Sequence, residues 1–279
     1  MASPKVISPE FLLWCQSLLL WSIAVYGVMA DPLPGEAVYL RRTRWMLFLS
    51  SRAILAAALT YALCHSIVLS GLLLLTILTQ PLLRYCLPMR LLAEFESVCL
   101  AAFMVCGLTV VRYLHISTRW VPASMSSAQL SALCILVSTL VMVVRGGTYI
   151  VRGILRKSST LPSQKSLSAS VADEISIAAS DDPGQVIVDL EEYNRGRLIG
   201  NLERIVLTIV VAAGSYAALA FLVAAKGIVR SDEFEKNRDF AEYFLIGSLS
   251  SVLVALCAGI LLRFALIRLW PDLLSIQIQ

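Results

Sequence analysis

The sequence contains little charge for its length. Only 15% of its 279 residues are charged, whereas 58% are hydrophobic and the mean hydropathy is +0.79. So few polar groups cannot cover the surface of a water-soluble globule of this size. The net charge of +4 is also too small for a nucleic-acid binder with a large basic face. The composition therefore predicts an integral membrane protein with the lipid bilayer as its main partner and no nucleic acid.

The residues that build common catalytic and metal sites are scarce as well. There are two histidines, His65 and His115, so a pair of zinc-binding histidines at helical spacing cannot form. No Gly-x-Ser-x-Gly elbow and no P-loop occurs. The seven cysteines lie in or beside apolar runs without Cys-x-x-Cys spacing, as expected for reduced core residues. The sequence therefore predicts no enzymatic activity, no cofactor and no metal.

Long apolar runs take the place of these motifs. A helix needs about 20 apolar residues to cross a hydrocarbon core of roughly 30 Å. Seven such runs predict an all-α polytopic bundle of about seven transmembrane helices, at 11–30, 45–64, 66–83, 88–111, 129–151, 205–225 and 243–266. Six spans remain an alternative, because the run from 45 to 83 is divided only by a tight turn expected at Cys64-His65-Ser66. No aspartate lies in these runs, which argues against an intramembrane aspartyl protease.

The first run and the flanking charges define the expected orientation. The first run is longer than the 7 to 15 residues usual in a signal peptide, so we interpret it as a retained helix, with a cleaved leader as the alternative. With the N-terminus outside, fifteen Lys and Arg residues face the cytoplasm and seven face outward. Positive residues resist translocation, so the pattern predicts N-out and C-in.

A polar segment divides the chain into two blocks. Residues 158–170 read SSTLPSQKSLSAS, and an acidic stretch follows, which is the composition of a linker. We expect an N-terminal membrane block of about five helices at 1–155, a cytoplasmic Ser-rich linker at 156–195, and a C-terminal transmembrane helical pair at 196–279.

Three of the charged residues within the predicted spans are candidates for an intramembrane site. Arg52, Glu94 and Glu96 would each cost roughly 2.5 to 3.5 kcal/mol at a helix centre unless paired or hydrated. Because their predicted depths are similar, we expect Arg52 to pair with Glu94 or Glu96. Glu94 also stands four residues after Arg90, which offers a local interfacial pair instead. The cluster is either structural or part of a path for a substrate or proton.

Small residues recur at helical spacing in the last two runs. Such rows let helix backbones approach closely in lipid, where the hydrophobic effect does not drive association. They predict a tightly packed hairpin or a contact with a partner. The pairs are Ala213 and Ala217, Gly214 and Ala218, Gly247 and Ser251, and Ala255 and Gly259.

Charges flank both ends of this expected hairpin. We expect Lys226 and Glu242 to face each other across its turn, with Glu203 and Arg204 at the opposite membrane face. Lysine side chains often extend toward the interface in such positions, so a salt bridge that pins the hairpin is one interpretation. A cluster that recognises an anionic ligand or a partner is the other.

Three motifs in this half resemble a known family. GRLIGNLER, AAKGIVR and AEYFLIGSLSS follow one another between Gly196 and Ser251. In this order they resemble the C-terminal part of bacterial polytopic membrane proteins of the domain of unknown function 3307, and the similarity continues to Arg263. The resemblance implies a bacterial cytoplasmic (inner) membrane and a shared hairpin, but no activity. It marks Glu203, Arg204, Lys226, Arg230, Glu242, Gly247 and Ser251 as family-like positions.

The sequence supports two functional hypotheses. The first is a non-enzymatic membrane component that acts by helix packing and contacts with a second copy or another membrane protein. The second is a transporter or channel for an ion or small solute, motivated by Arg52, Glu94 and Glu96. Against the second, the sequence has no clear internal repeat, and no mid-span helix break is expected.

Overall fold

A computed structural model of the chain describes residues 8–26, 42–86, 91–157, 190–229, 231 and 238–270. These residues form helices and no strand, which confirms the all-α class. In chain order the helices are α1 (Pro9–Tyr26), α2 (Arg42–Cys64), α3 (Ile67–Cys86), α4 (Leu92–Tyr113), α5 (Ser127–Lys157), α6 (Leu190–Ala213), α7 (Tyr216–Val229) and α8 (Arg238–Leu269).

Two of these helices are long and apolar enough to cross a bilayer. They are the segments Ser127–Leu155 of α5 and Phe244–Leu269 of α8. Shorter apolar segments, too short by themselves for the full hydrocarbon core, lie in four other helices. These are Ser50–Cys64, Ile67–Thr79, Ala101–Tyr113 and Tyr216–Val229. Length and composition thus favour membrane association, while the count of seven spans stays a prediction.

The turn expected at Cys64-His65-Ser66 is confirmed. Helix α2 ends at Cys64 and α3 begins at Ile67, and His65 between them has a φ of 51°. Few residues other than glycine adopt this left-handed conformation, and it reverses the chain sharply. The side chain of Ser66 then accepts a hydrogen bond from the Leu69 N–H at 3.4 Å, as an N-terminal helix cap does.

Helix α1 forms the centre of the N-terminal block. The indole of Trp21 is buried and stacks on Phe103 of α4 with ring centroids 4.4 Å apart. Ala53 of α2 and Leu73 of α3 belong to the same buried cluster. Nearer the start of α1, Trp14 donates from Nε1 to the Met104 carbonyl at 3.2 Å. The five N-terminal helices therefore share one core.

Helix α5 joins the two blocks of the chain. It runs parallel to α1, because Leu12 packs near Leu130 at one end and Tyr26 lies against Gly146 toward the other. On a neighbouring face, Gly147 lies against Val254 of α8 and a side chain of α6. The C-terminal helices thus pack directly on the last helix of the N-terminal block.

The prediction of a single helix across 205–225 is wrong. Helix α6 ends at Ala213, Gly214 has a φ of +81°, and α7 begins at Tyr216. The Gly214 N–H donates to the Val211 carbonyl at 2.9 Å, which closes α6. Lys226 of α7 then forms an ion pair with Glu203 of α6. The chain therefore reverses at Gly214, and α7 returns along α6 as the second limb of a helical hairpin.

The tip of this α6–α7 hairpin is stabilised by a residue of α8. The guanidinium of Arg263 occupies the space beside Gly214 and donates from Nη1 to the Ala212 carbonyl at 3.4 Å. Carbonyls at a helix C-terminus lack intrahelical donors and carry partial negative charge, so a cation there is favourable. A helix break inside an apolar run is thus supported by a side chain 49 residues further along the sequence.

The C-terminal block consequently contains three helices instead of the expected pair. A Cβ on Gly259 of α8 would lie 2.6 Å from Val211 Cβ, and Arg263 reaches Ala212, so α8 runs parallel to α6. In the small-residue row of Ala255 and Gly259, Gly259 lies at this contact and Ala255 is fully buried. The predicted small-residue rows Ala213–Ala217 and Gly214–Ala218 do not form, because the helix break separates the two residues of each row.

We expect Gly214→Ala to lower the free energy of unfolding by about 1–2 kcal/mol, because an L side chain is strained at this φ. Arg263 would also have to leave its place. Gly227→Ala is the matched control: a Cβ there meets nothing within 4 Å, and alanine favours a helix by up to about 1 kcal/mol. Denaturant unfolding in detergent measures both. Equal stability of the two variants would contradict the left-handed turn.

Candidate functional site

The charged motifs of the C-terminal half meet at the base of the α6–α7 hairpin. Glu203 and Arg204 come from α6, and Lys226 comes from α7. Helix α5 adds Thr148 from the N-terminal block. We name the basal cluster by its five members, which are Thr148, Asn201, Glu203, Arg204 and Lys226. This convergence makes the cluster the candidate functional site, since the motifs that carry the family resemblance come together there.

Arg204 is the most buried charged residue of the cluster, with 5% of its surface exposed. Its Nη2 donates to Thr148 Oγ1 at 2.9 Å and to Asn201 Oδ1 at 2.8 Å. Its Nε donates to the Gly200 carbonyl at 3.1 Å. A buried guanidinium is costly unless its donors find acceptors, and here α5 and α6 supply them. Arg204 therefore links the two blocks of the chain.

Lys226 and Glu203 connect the two limbs of the hairpin. Their side chains form an ion pair in which each remains about 30% exposed. The Lys226 ammonium also lies 5.4 Å from the ring centroid of Phe244, so it contacts α8 by a cation–π interaction. Lys226 was expected to face Glu242, with Glu203 at the opposite membrane face. The chain reversal at Gly214 places Glu203 and Lys226 at the same level instead.

The other family-like positions lie around this cluster on α8. Glu242 is exposed near the start of the helix, and Ser251, nine residues further on, is buried. A Cβ on Gly247 would be 3.6 Å from the Leu155 side chain, so this position packs on α5. Arg230 lies outside the described residues. Gly247 therefore contacts α5, whereas its small-residue row was expected to pack within the C-terminal hairpin or on a partner.

The expected pairing of Arg52 with an acidic residue of α4 stays a prediction. Arg52 donates from Nη2 to the Ile23 carbonyl of α1. Glu94 accepts a hydrogen bond from Lys157 Nζ at 2.7 Å, near the end of α5. This hydrogen bond holds the pKa of Glu94 below its ordinary value, and the carboxylate is exposed beyond the apolar segment Ala101–Tyr113. The side chain of Glu96 lies outside the described residues.

Several residues of the site were not anticipated from sequence. Thr148 and Asn201 are short polar side chains whose role depends on the approach of α5 and α6. Arg263 was counted only as a charge that sets orientation, yet it supports the hairpin tip. A usable signal did exist: Glu203 and Lys226 stand at equal distances in sequence from the Gly214-Ser215 pair. That symmetry is typical of an ion pair across a hairpin.

The basal cluster offers hydrogen-bond donors and acceptors but no catalytic constellation. Within the described ranges, no three His, Cys, Asp or Glu residues come together in a group that could hold a metal ion. Comparisons with protein families, curated proteins and solved structures find no match to this chain. The resemblance to the domain of unknown function 3307 therefore stays a prediction, and the geometry itself must support any function.

We expect Arg204→Lys to lower the free energy of unfolding by about 2 kcal/mol. A lysine cannot reproduce the forked contacts to Thr148 and Asn201, and hydrogen bonds to charged groups contribute about 1.5–3 kcal/mol each. Arg112→Lys, at an exposed position near the end of α4, is the control and should change stability by less than about 0.5 kcal/mol. Denaturant titration of both proteins in one detergent measures this. A result near zero for Arg204→Lys would contradict the network.

Proposed function

We propose that the chain is a polytopic membrane protein whose exposed apolar side chains face lipid. Large hydrophobic side chains point outward on most helices, among them Ile54 of α2, Val105 of α4 and Phe264 of α8. In water such a surface promotes association, whereas lipid solvates it. Only 28% of the most apolar stretch of α8 is buried within the protein, unlike the core helix of a soluble domain.

The packing supports six crossing helices and one re-entrant hairpin. Helices α1 to α5 alternate in direction, and the α6–α7 hairpin enters and leaves at the end of the bundle where α5 terminates. Helix α8 crosses last, because Gly247 near its start lies against Leu155 and Leu266 near its end clusters with Ala132. The start of α1 and the end of α8 thus lie at the same end of the bundle.

Positive charge supports an orientation for this arrangement. Apart from Arg52, which lies near the middle of α2, twelve of the described Lys and Arg residues belong to the half of the bundle where α5 terminates, against four at the other end. This bias favours the first group as cytoplasmic, with both chain ends outside, so the proposal keeps the expected N-out orientation and replaces the expected C-in orientation. The bacterial cytoplasmic membrane follows from the family resemblance. The twelve are Arg42, Arg44, Arg84, Arg145, Arg152, Arg156, Lys157, Arg195, Arg197, Arg204, Lys226 and Arg238, and the four are Arg112, Arg119, Arg263 and Arg268.

The proposed function is that of a non-enzymatic membrane component that binds a partner through α7. One observation carries this proposal: α7 is apolar and contributes no buried residue to the protein. Its outward surface includes Phe221, which is 72% exposed, and the small residues Ala217, Ala220 and Ala224. Small residues at this spacing permit close helix contacts in lipid. The partner is a second copy of the chain or another membrane protein.

A transporter or channel is the second candidate function. The observation that favours it is the helix break at Gly214, since transporters often place ion or solute sites at discontinuous helices. The N-terminus of α7 and the cationic Arg263 lie at this break. The expected absence of a broken helix, which argued against transport, therefore no longer holds.

A reporter fusion tests the topology. We expect a reporter inserted near residue 170 to lie in the cytoplasm and one fused after Gln279 to lie outside, because the α6–α7 hairpin does not cross. Alkaline phosphatase activity and green fluorescence provide opposite readouts for each site. If both fusions reported the cytoplasm, 205–225 would cross as one helix and the re-entrant arrangement would be wrong.

Photo-crosslinking tests the function. We expect a photoreactive residue at Phe221 to capture a protein in the membrane, because α7 presents an unpacked surface. The same label at Val105, 65% exposed on α4, is the matched control and should capture mainly lipid. Equal yields at both positions would contradict a contact surface on α7. Solute flux in proteoliposomes that Arg263→Gln abolishes would instead favour the transporter.

A further inference from the structure

Helix α7 is attached to the rest of the protein differently from the other described helices. It adds no side chain to the four buried hydrophobic clusters, whereas α6 adds Ala212 and α8 adds Leu262 and Leu266. Segments with few buried contacts open at the lowest free energy. The position of α7 therefore depends on a small number of specific contacts.

Those contacts lie at its two ends. At the start of α7, Gly214 in a left-handed conformation joins it to α6 through a two-residue connection. Near its end, Lys226 forms the ion pair with Glu203 and lies over the Phe244 ring. Lys226 is twelve residues from Gly214, which corresponds to about 18 Å of helix. The ion pair thus holds the end of α7 that lies farthest from Gly214.

We propose that α7 is a hinged arm whose seating on α6 is controlled by the Glu203–Lys226 ion pair. The pair is a latch: when it is intact α7 lies along α6, and when it is broken α7 swings about Gly214. Because both side chains are about 30% exposed, ions and charged ligands can reach and compete for them. The functional role of this motion rests on the proposed contact surface of α7. The motion itself is inferred only from the contacts that hold α7 in place.

The latch differs from the Lys157–Glu94 ion pair in what it joins. Lys157 and Glu94 connect α4 to α5, two helices that also share extensive packing. Loss of that pair leaves both helices held by their neighbours. Loss of the Glu203–Lys226 pair removes a polar contact between the limbs of the hairpin, and α7 has no buried residue that would hold it in place. The two pairs therefore provide a matched comparison, one latch and one ordinary surface pair.

Distance measurements between spin labels test the latch. Labels carried by unnatural amino acids at Leu198 and Ile228, both exposed, report the separation of α6 and α7 without changing the native cysteines. The wild-type protein should give one dominant short distance. Glu203→Gln should increase the population at longer distances by about three- to fivefold, the effect of a partly exposed ion pair. About 1 M salt should act in the same direction on the wild type.

Two further variants complete the test. Glu94→Gln should leave the distance distribution as in the wild type, and the exchange Glu203→Lys with Lys226→Glu should restore the short distance. If Glu203→Gln gave the wild-type distribution, or if the exchanged pair failed to restore it, the latch would be refuted. The measurement uses purified protein without a partner. It therefore fails or succeeds independently of crosslinking at Phe221, which tests the contact surface.

Discussion

Close packing at two adjacent glycines of α5 is the constraint on which the rest of the structure depends. A Cβ on Gly146 would lie 3.3 Å from the Tyr26 ring of α1, and one on Gly147 would lie 3.3 Å from Val254 of α8 and from the Arg204 guanidinium. Neighbouring residues of a helix point about 100° apart, so Gly146 and Gly147 let two different neighbours approach α5 at the same height along its axis. Larger side chains would separate α5 from α1 and from the C-terminal helices. The contact of Arg204 with Thr148 requires this close approach.

Much of the N-terminal block could be predicted from the sequence. The apolar runs are bounded by charges or turn residues, and the helices α1 to α5 follow them within a few residues. The turn at His65 was predicted because the 39 residues from 45 to 83 contain a single charge and are too long for one crossing. Such arguments depend on chain length and local composition, which a single sequence contains. The pairing of Glu94 with Lys157 could not be predicted in this way, because it depends on the alignment of α4 with α5.

The C-terminal block was predicted less well, for a physical reason. Glycine inside a helix costs only about 1 kcal/mol relative to alanine, so Gly214 within an apolar run is compatible with a continuous helix. What favours the break is Arg263, which lies far away in sequence and beside Gly214 in space. The candidate site was predicted only in part for the same reason. Its charged members were identified from motifs, but Glu203 and Lys226 were assigned to opposite membrane faces until the break was known.

The balance between a straight helix and a hairpin explains why this region is sensitive to its tertiary context. In one straight helix, Glu203 and Lys226 would be about 34 Å apart and each could be hydrated at its own interface. The hairpin gives up intrahelical hydrogen bonds at Gly214 and adopts a left-handed backbone there. In return it gains the Arg263 contact with the Ala212 carbonyl and the ion pair at its base. The first gain requires α8 beside α6, which Gly259 permits, and Lys226 also contacts Phe244 of α8. The hairpin is therefore a property of the assembled C-terminal block, and any change that moves α8 also changes the seating of α7.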